Sequence, residues 1–251
     1  MVKEKNWHVR SKWRRHLGLV GNRLLRRHIP ATQLLNARSL ATSLNHYQVV
    51  FVKPVYGSFG NRIMRIARRK DGYAVQQESR ISHVPKQRIA RTVFQHTRGH
   101  GFMLQKGVSL LHVGGRPVDF RVLLLRPNRE WEVMGIMGKV ATGRRIVTNF
   151  NHGGQAVQFR AILRKTGYSQ STIQRLEQQM KRISISAAQQ FRKRYPQCRR
   201  LGIDIAIDQR QQLWILEVNT NPFFNLFRHH EDKGLYGRIR AKMGLIRRKQ
   251  T

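Results

Sequence analysis

Two apolar runs near the carboxyl end carry acidic and amide side chains where hydrocarbon is the rule. Asp204 lies inside Leu201-Gly202-Ile203-Asp204-Ile205-Ala206-Ile207. Glu217 and Asn219 lie in Trp214-Ile215-Leu216-Glu217-Val218-Asn219. A carboxylate in such a run is costly unless it is paired or bound to a metal. Side chains alternate along a strand, so Glu217 and Asn219 share a face. If the two runs pair through the turn at 208–212, Asp204 comes alongside. Two carboxylates and an amide oxygen form an oxygen-only set suited to Mg²⁺ or Mn²⁺. The competing reading pairs Glu217 with one of the many arginines. Asp208 reads as a turn residue.

Other segments carry chemistry less distinctly. Phe51-Val52-Lys53-Pro54 ends a β-branched run and precedes Gly57-Ser58-Phe59-Gly60-Asn61. A lysine there can aim a fixed cation into a cleft, and the glycines let backbone N–H groups approach phosphate oxygens. No Gly-Lys-Ser/Thr follows, so this is not a Walker loop, and a plain tight turn is the alternative. Asp119 and Arg121 share a strand face as an anion–cation pair. Residues 148–154 join short polar side chains to a glycine pair. Gln105-Lys106-Gly107-Val108 follows a strand and can act as a hinge. The histidines lack metal-ligand spacing. Cys198 lies among arginines that would lower its pKa, but no base partner is evident.

These residues must be held by elements the periodicity predicts. Strands are expected at 48–52, 61–69 and 73–80, the last two joined at Asp71-Gly72, and near 102–105, 119–126, 131–140, 201–207 and 213–218. Thr32 caps a helix over about 33–45. Trp13, Leu17, Leu24 and Leu25 form one apolar stripe in the N-terminal segment. Pro85 opens a helix to about Thr97. The longest helix runs from about Ser171 to Tyr195, with Ile173, Leu176, Met180, Ile183, Ala187 and Phe191 as core. A basic amphipathic helix begins near Asp232. The order is mixed α+β rather than strict βαβ alternation.

The chain has 251 residues, with 49 Lys+Arg against 12 Asp+Glu and a formal charge of +37, while 40% hydrophobic content fits a globular chain. Such a surface draws polyanions, nucleic acid among them, yet the basic residues are spread out and no zinc-finger or RNP-like run appears. No apolar run is long enough to span a membrane, and the amino terminus does not read as a signal peptide. One cysteine points to a reducing, cytoplasmic compartment.

Taken in order, these segments resemble the ATP-grasp superfamily and, within it, the YheC/YheD group of endospore coat-associated proteins. The likeness covers roughly residues 10–228. It opens with Ser11-Lys12-Trp13-Arg14-Arg15-His16 and His28-Ile29-Pro30-Ala31-Thr32. It continues through Val52-Lys53-Pro54, Gly57-Ser58-Phe59-Gly60, Leu104-Gln105-Lys106-Gly107-Val108, Arg116-Pro117-Val118-Asp119-Phe120-Arg121 and Trp131. It closes with Val147-Thr148-Asn149-Phe150, Gly153-Gly154, Gly202-Ile203-Asp204 and Leu216-Glu217-Val218-Asn219. The resemblance implies an α+β fold of two lobes gripping ATP. It implies an N-terminal extension over 1–46, an N-terminal lobe over 47–108, a C-terminal lobe over 109–228 and a basic helix over 229–251.

It also implies roles. Lys53 would bind the α/β-phosphates. Gly57, Ser58, Phe59, Gly60 and Asn61 would form the loop over the phosphates. Gln105, Lys106, Gly107 and Val108 would form the adenine hinge. Asp119 and Arg121 would line the nucleotide–acceptor junction, with Asn149 at the phosphate end. Asp204, Glu217 and Asn219 would hold Mg²⁺ or Mn²⁺. Lys139 stands where the family usually shows arginine, keeping the charge without the planar fork. Only about 45 residues precede the first expected strand, too few for the acceptor-binding domain of many ATP-grasp enzymes. Acceptor binding is then expected from the short extensions, from a partner, or not at all. The activity implied is ATP-dependent carboxylate–amine ligation, with spore association; the strongly positive charge, taken by itself, fits an acidic acceptor. An ATP-binding scaffold with little turnover and a polyanion-binding protein on the same fold are the alternatives.

Overall fold

A computed structural model describes residues 8–57, 61–141 and 155–249. Its first sheet comprises β1 (Thr32–Leu34), β2 (Val49–Pro54), β3 (Met64–Arg69), β4 (Gly72–Gln77), β5 (Arg80–Val84) and β6 (Phe102–Lys106), in the order β1-β6-β2-β3-β4-β5. Alternation along β2 and β6 sends Val50, Val52, Phe102 and Leu104 into a core with Leu40 and Leu44 of α3 (Ala37–His46) and Ile89 and Val93 of α4 (Ile89–Thr97). The opposite face is left with Phe51, Lys53, Met103 and Gln105, which the register sets as the pairs Phe51–Gln105 and Lys53–Met103. Gly72 at the β3–β4 turn has φ +151°, and a Cβ there would lie 2.5 Å from the Val84 carbonyl oxygen, so the three-strand meander requires glycine.

The second sheet runs β10-β9-β8-β11-β12. Its strands are β8 (Arg116–Leu125), β9 (Glu132–Val140), β10 (Gln155–Gln158), β11 (Arg200–Ile207) and β12 (Leu213–Asn219), and the two-residue β7 (His112–Val113) pairs with the start of β8. Val118, Phe120, Val122 and Leu124 of β8, with Leu201, Ile203 and Ile205 of β11, pack against α5 (Phe159–Lys165) and α6 (Gln170–Arg194). On the other face, Leu123, Leu125 and Met137 are covered by α7 (Leu235–Arg248) and a 3₁₀ turn at Asn225–His229. The remainder of that face carries Asp119, Arg121, Lys139 and Asp204. The N-terminal segment forms α1 (Lys12–Val20) and α2 (Arg23–Arg26). No described helix is long and apolar enough to cross a membrane.

Several expectations need correction. Thr32 starts a strand paired with β6, and the helix after it begins at Ala37, capped by the Asn36 side chain. The stripe of Trp13, Leu17, Leu24 and Leu25 does not form: α1 buries Arg15, Gly18 and Leu19, and Leu24 is 63% exposed. Gly18 sits where any Cβ would come within 2.9 Å of Phe191, so its absence of side chain lets α1 lie close on α6. The meander has a third strand, β5, and a 3₁₀ turn at Lys86–Arg88 precedes α4. The strand expected from 119 begins at Arg116.

Candidate functional site

The site is set by a slip in β12. Asp204 pairs with Glu217 and Ile205 with Ile215, which leaves Leu216 as an extra, bulged residue. Unbroken alternation from Leu213 would send Glu217 inward beside Ile215. The bulge shifts the phase: Ile215 and Val218 both reach the core, and Glu217 and Asn219 turn to the face bearing Asp204. There Asn219 Nδ2 donates to Asp204 Oδ2 at 3.4 Å.

Every carboxylate at this position meets a cation. Arg121 lies opposite Asp204 in the β8–β11 ladder and donates Nε and Nη2 to its two oxygens at 2.7 and 3.1 Å. Lys139 lies opposite Asp119 across β8–β9, and its Nζ is 2.9 Å from both Asp119 and Asp204. Glu217 Oε1 accepts from Lys12 Nζ at 2.7 Å and Arg15 Nη2 at 2.8 Å, and Arg15 Nη1 donates to Asn219 Oδ1 at 3.0 Å. Burial alone would raise the pKa of Asp204, but Arg121 and Lys139 outweigh it and hold the group ionised well below the usual carboxylate range. Burial likewise opposes ionisation of Glu217, and Lys12 and Arg15 overcome it, bringing its pKa down to about 2.

The facing wall comes from the first sheet. Lys53 Nζ donates to Gln105 Oε1 at 2.5 Å. Gln105 Nε2 donates to Thr32 Oγ1 at 3.3 Å and to the Leu216 carbonyl at 3.4 Å, so one buried amide joins the two sheets at the bulge. Burial lowers the Lys53 pKa to about 8, against the pull of Glu217, Asp204 and Asp119. Lys106 places its ammonium over the rings of Tyr47 and Trp214, 5.7 and 5.6 Å from their centroids. Gly107 donates its N–H to the Val49 carbonyl, and Val108 is half-buried. Gly57 and Asn61 are exposed; Ser58, Phe59, Gly60 and Asn149 lie outside the described residues.

The arrangement thus gathers Lys53, Gln105, Asp119, Arg121, Lys139, Asp204, Glu217 and Asn219 from strands separated in sequence. The hard oxygens of Asp204, Glu217 and Asn219 fit a divalent cation of the Mg²⁺ type, and the surrounding lysines and arginines fit phosphate. Among the described residues there is no cluster of three or more His, Cys, Asp and Glu that could ligate a metal. Cys198 is buried, and its thiol is pushed up to about 12, which leaves it inert. Lys12, Arg15 and Thr32 were not among the expected site residues. Lys12 and Arg15 are spaced three apart on a basic helix, the one signal that they share a face.

The profile described as YheC/D like ATP-grasp matches residues 2–243. The chain belongs to that family. Endospore coat-associated protein YheD of Bacillus subtilis (strain 168) is 24% identical over 231 residues, which cover 87% of this chain and 49% of YheD. YheC of the same organism is 20% identical over 218 residues, covering 84% of this chain and 60% of YheC. The chain therefore spans about half the length of YheD and somewhat more of YheC. Among solved structures, D-cycloserine synthetase DcsG matches with a TM-score of 0.59 at 13% identity, covering 95% of this chain and 71% of its own. The fold is thus ATP-grasp, of the α+β class, with the two sheets as its frame.

Proposed function

We propose that this ATP-grasp protein binds Mg-ATP between its two sheets and joins a carboxylate to an amine. The observation that carries the reading is the Leu216 bulge, which turns Glu217 and Asn219 to the face of Asp204, opposite Lys53. In this reading Lys53 binds the α/β-phosphates, and residues 57–61 cover them. Gln105, Lys106, Gly107 and Val108 line the base. Asp204, Glu217 and Asn219 hold the divalent cation, which when bound screens phosphate charge and fixes its orientation.

A carboxylate oxygen of the acceptor attacks the γ-phosphorus, and the bond to the β-phosphate oxygen breaks, giving an acylphosphate and ADP. An amine then attacks the acyl carbon, releasing phosphate and a proton. This route needs no covalent nucleophile from the protein. Arg121 and Lys139 stabilise charge on the transferring group, and Asp119 holds Lys139 in place. The positive surface favours an acidic acceptor.

Calorimetry with ADP and Mg²⁺ tests the binding step: wild-type binding is expected to require the metal, and Asp204→Asn and Glu217→Gln to abolish that requirement. Unchanged metal dependence in both variants would overturn the assignment. ADP release in a screen of acidic acceptors, with Lys53→Ala as blank, tests turnover. The coat-associated names of YheD and YheC favour one second reading, a nucleotide-binding scaffold at the spore coat. Metal-dependent binding without ADP release from any acceptor would support it.

A further inference from the structure

The amino-terminal helix places cations directly on the proposed metal ligands. Lys12 and Arg15 lie one turn apart on α1, with side chains only 10% and 8% exposed. Both donate to the same oxygen of Glu217, and Arg15 also takes the Asn219 amide oxygen. Arg15 Nε is buried with no hydrogen-bond acceptor among the described residues. A buried guanidinium N–H left unsatisfied is costly, and this one belongs to the side chain that holds both Glu217 and Asn219.

The charge balance points the same way. Among the described residues, Lys12, Arg15, Lys53, Arg121 and Lys139 face three carboxylates, Asp119, Asp204 and Glu217. Positive charge in excess of its partners is expensive to bury, and a divalent cation would add to it. The cleft is therefore built for an incoming polyanion.

Nor is α1 a loose arm that happens to rest there. Val9 N–H donates to Thr220 Oγ1, just past β12, at 3.0 Å. The Lys12 N–H donates to the Val55 carbonyl, just past β2, at 2.8 Å. Ser11 caps the helix through the Arg14 N–H, and Gly18 seats it against Phe191. The helix is tied to both sheets at the end of the cleft where Gly57 lies.

We propose that Lys12 and Arg15 are substrate-binding residues that hold the terminal, transferable phosphate. Glu217 and Asn219 keep them in place until the metal takes those oxygens. The inference rests on the proposed nucleotide reading and adds α1 as a third wall of that site. It assigns to α1 the discrimination between a nucleoside triphosphate and a diphosphate.

The test compares affinities for β,γ-imido-ATP and ADP, both with Mg²⁺, by calorimetry. Wild type is expected to prefer the triphosphate analogue at least tenfold. Lys12→Met and Arg15→Met are expected to bring that preference within twofold while ADP affinity changes less than threefold, and Lys12→Arg is expected to restore it. If Lys12→Met does not melt cooperatively, Lys12→Gln, which keeps a donor toward Glu217 without the charge, decides the question. A preference that survives in the variants overturns the proposal. So does a tenfold gain in Mn²⁺ affinity, read by electron paramagnetic resonance, with the preference intact, since α1 would then only block the metal site. Failure of this inference alone leaves ADP binding metal-dependent in wild type. Loss of metal-dependent ADP binding in wild type itself would sink the underlying reading as well.

Discussion

Lys53 is the side chain whose environment makes the most direct statement about solution behaviour. Burial disfavours its charged form, so in the free chain its pKa is lowered to about 8 from an ordinary 10.5. A bound phosphate restores the preference for the ammonium. If the nucleotide phosphates sit against Lys53 as proposed, binding takes up a proton above pH 8 and none below it. Affinity for ADP is expected to be flat from pH 6.5 to 8 and to fall above it, by roughly thirtyfold at pH 9.5. Lys53→Arg, charged throughout, is expected to remove the bend, and calorimetry at several pH values checks it. Glu217 makes the complementary statement about stability. Its folded pKa of about 2 lies below its ordinary 4.5, so its contribution is fully present above 4.5 and is lost as pH falls toward 2. The shift corresponds to roughly 3 kcal/mol. Urea unfolding at pH 6 and pH 2.5 is expected to show that component in wild type and not in Glu217→Gln.

At the scale of elements, close contact between α1 and α6 decides where the cations of α1 stand. Gly18 is a poor helix residue, and replacing it with leucine gains roughly 1 kcal/mol of helix propensity. The added side chain, however, meets the Phe191 ring at 2.9 Å from its first atom, and overpacking of that kind costs about 1–3 kcal/mol. Gly18→Leu is therefore expected to destabilise despite better propensity. Adding Phe191→Ala is expected to cost less than the sum of the two single changes, because leucine occupies part of the space phenylalanine leaves. Thermal melting of the four variants in the cycle checks the sign.

What was legible at this scale follows the same logic of local against distant forces. The alternation of Val50 and Val52 and the three-and-four spacing of α6 are written in apolar residues and were readable. β5 has four exposed residues before Val84, so no alternation marks it; only pairing with β4 makes it a strand. Thr32 and Asn36 are both good caps, and pairing of β1 with β6 chose between them. At the site, Asp204 and Glu217 stood out as charges in hydrocarbon. Their partners did not, because Lys12 and Arg15 lie about 200 positions away in a chain where basic residues are everywhere. The bulge had a trace in sequence: Leu213, Ile215 and Glu217 cannot all share one face of an unbroken strand whose face is core.

For the molecule as a whole, a formal charge of +37 means that ATP will bind somewhere whatever the cleft does. Adsorption on an arginine surface and capture in the cleft differ in their response to magnesium. Mg²⁺ lowers the charge of the nucleotide, so it weakens attachment that depends on charge alone. The proposed three-oxygen metal site would instead gain from it, because Lys12, Arg15, Arg121 and Lys139 would no longer have to neutralise those oxygens. The sign of the magnesium effect therefore separates the two modes. Salt gives a second axis, since surface attachment falls steeply with ionic strength while the buried groups of the cleft are screened far less. In 0.3 M KCl, millimolar Mg²⁺ is expected to raise ADP affinity at least tenfold in wild type and to lower it, or leave it unchanged, in Asp204→Asn. Heparin binding under the same conditions is expected to be weak and the same in both proteins. Magnesium-weakened ADP binding in wild type at this salt would mean that the charge of the surface, not the geometry of the cleft, is what holds the nucleotide.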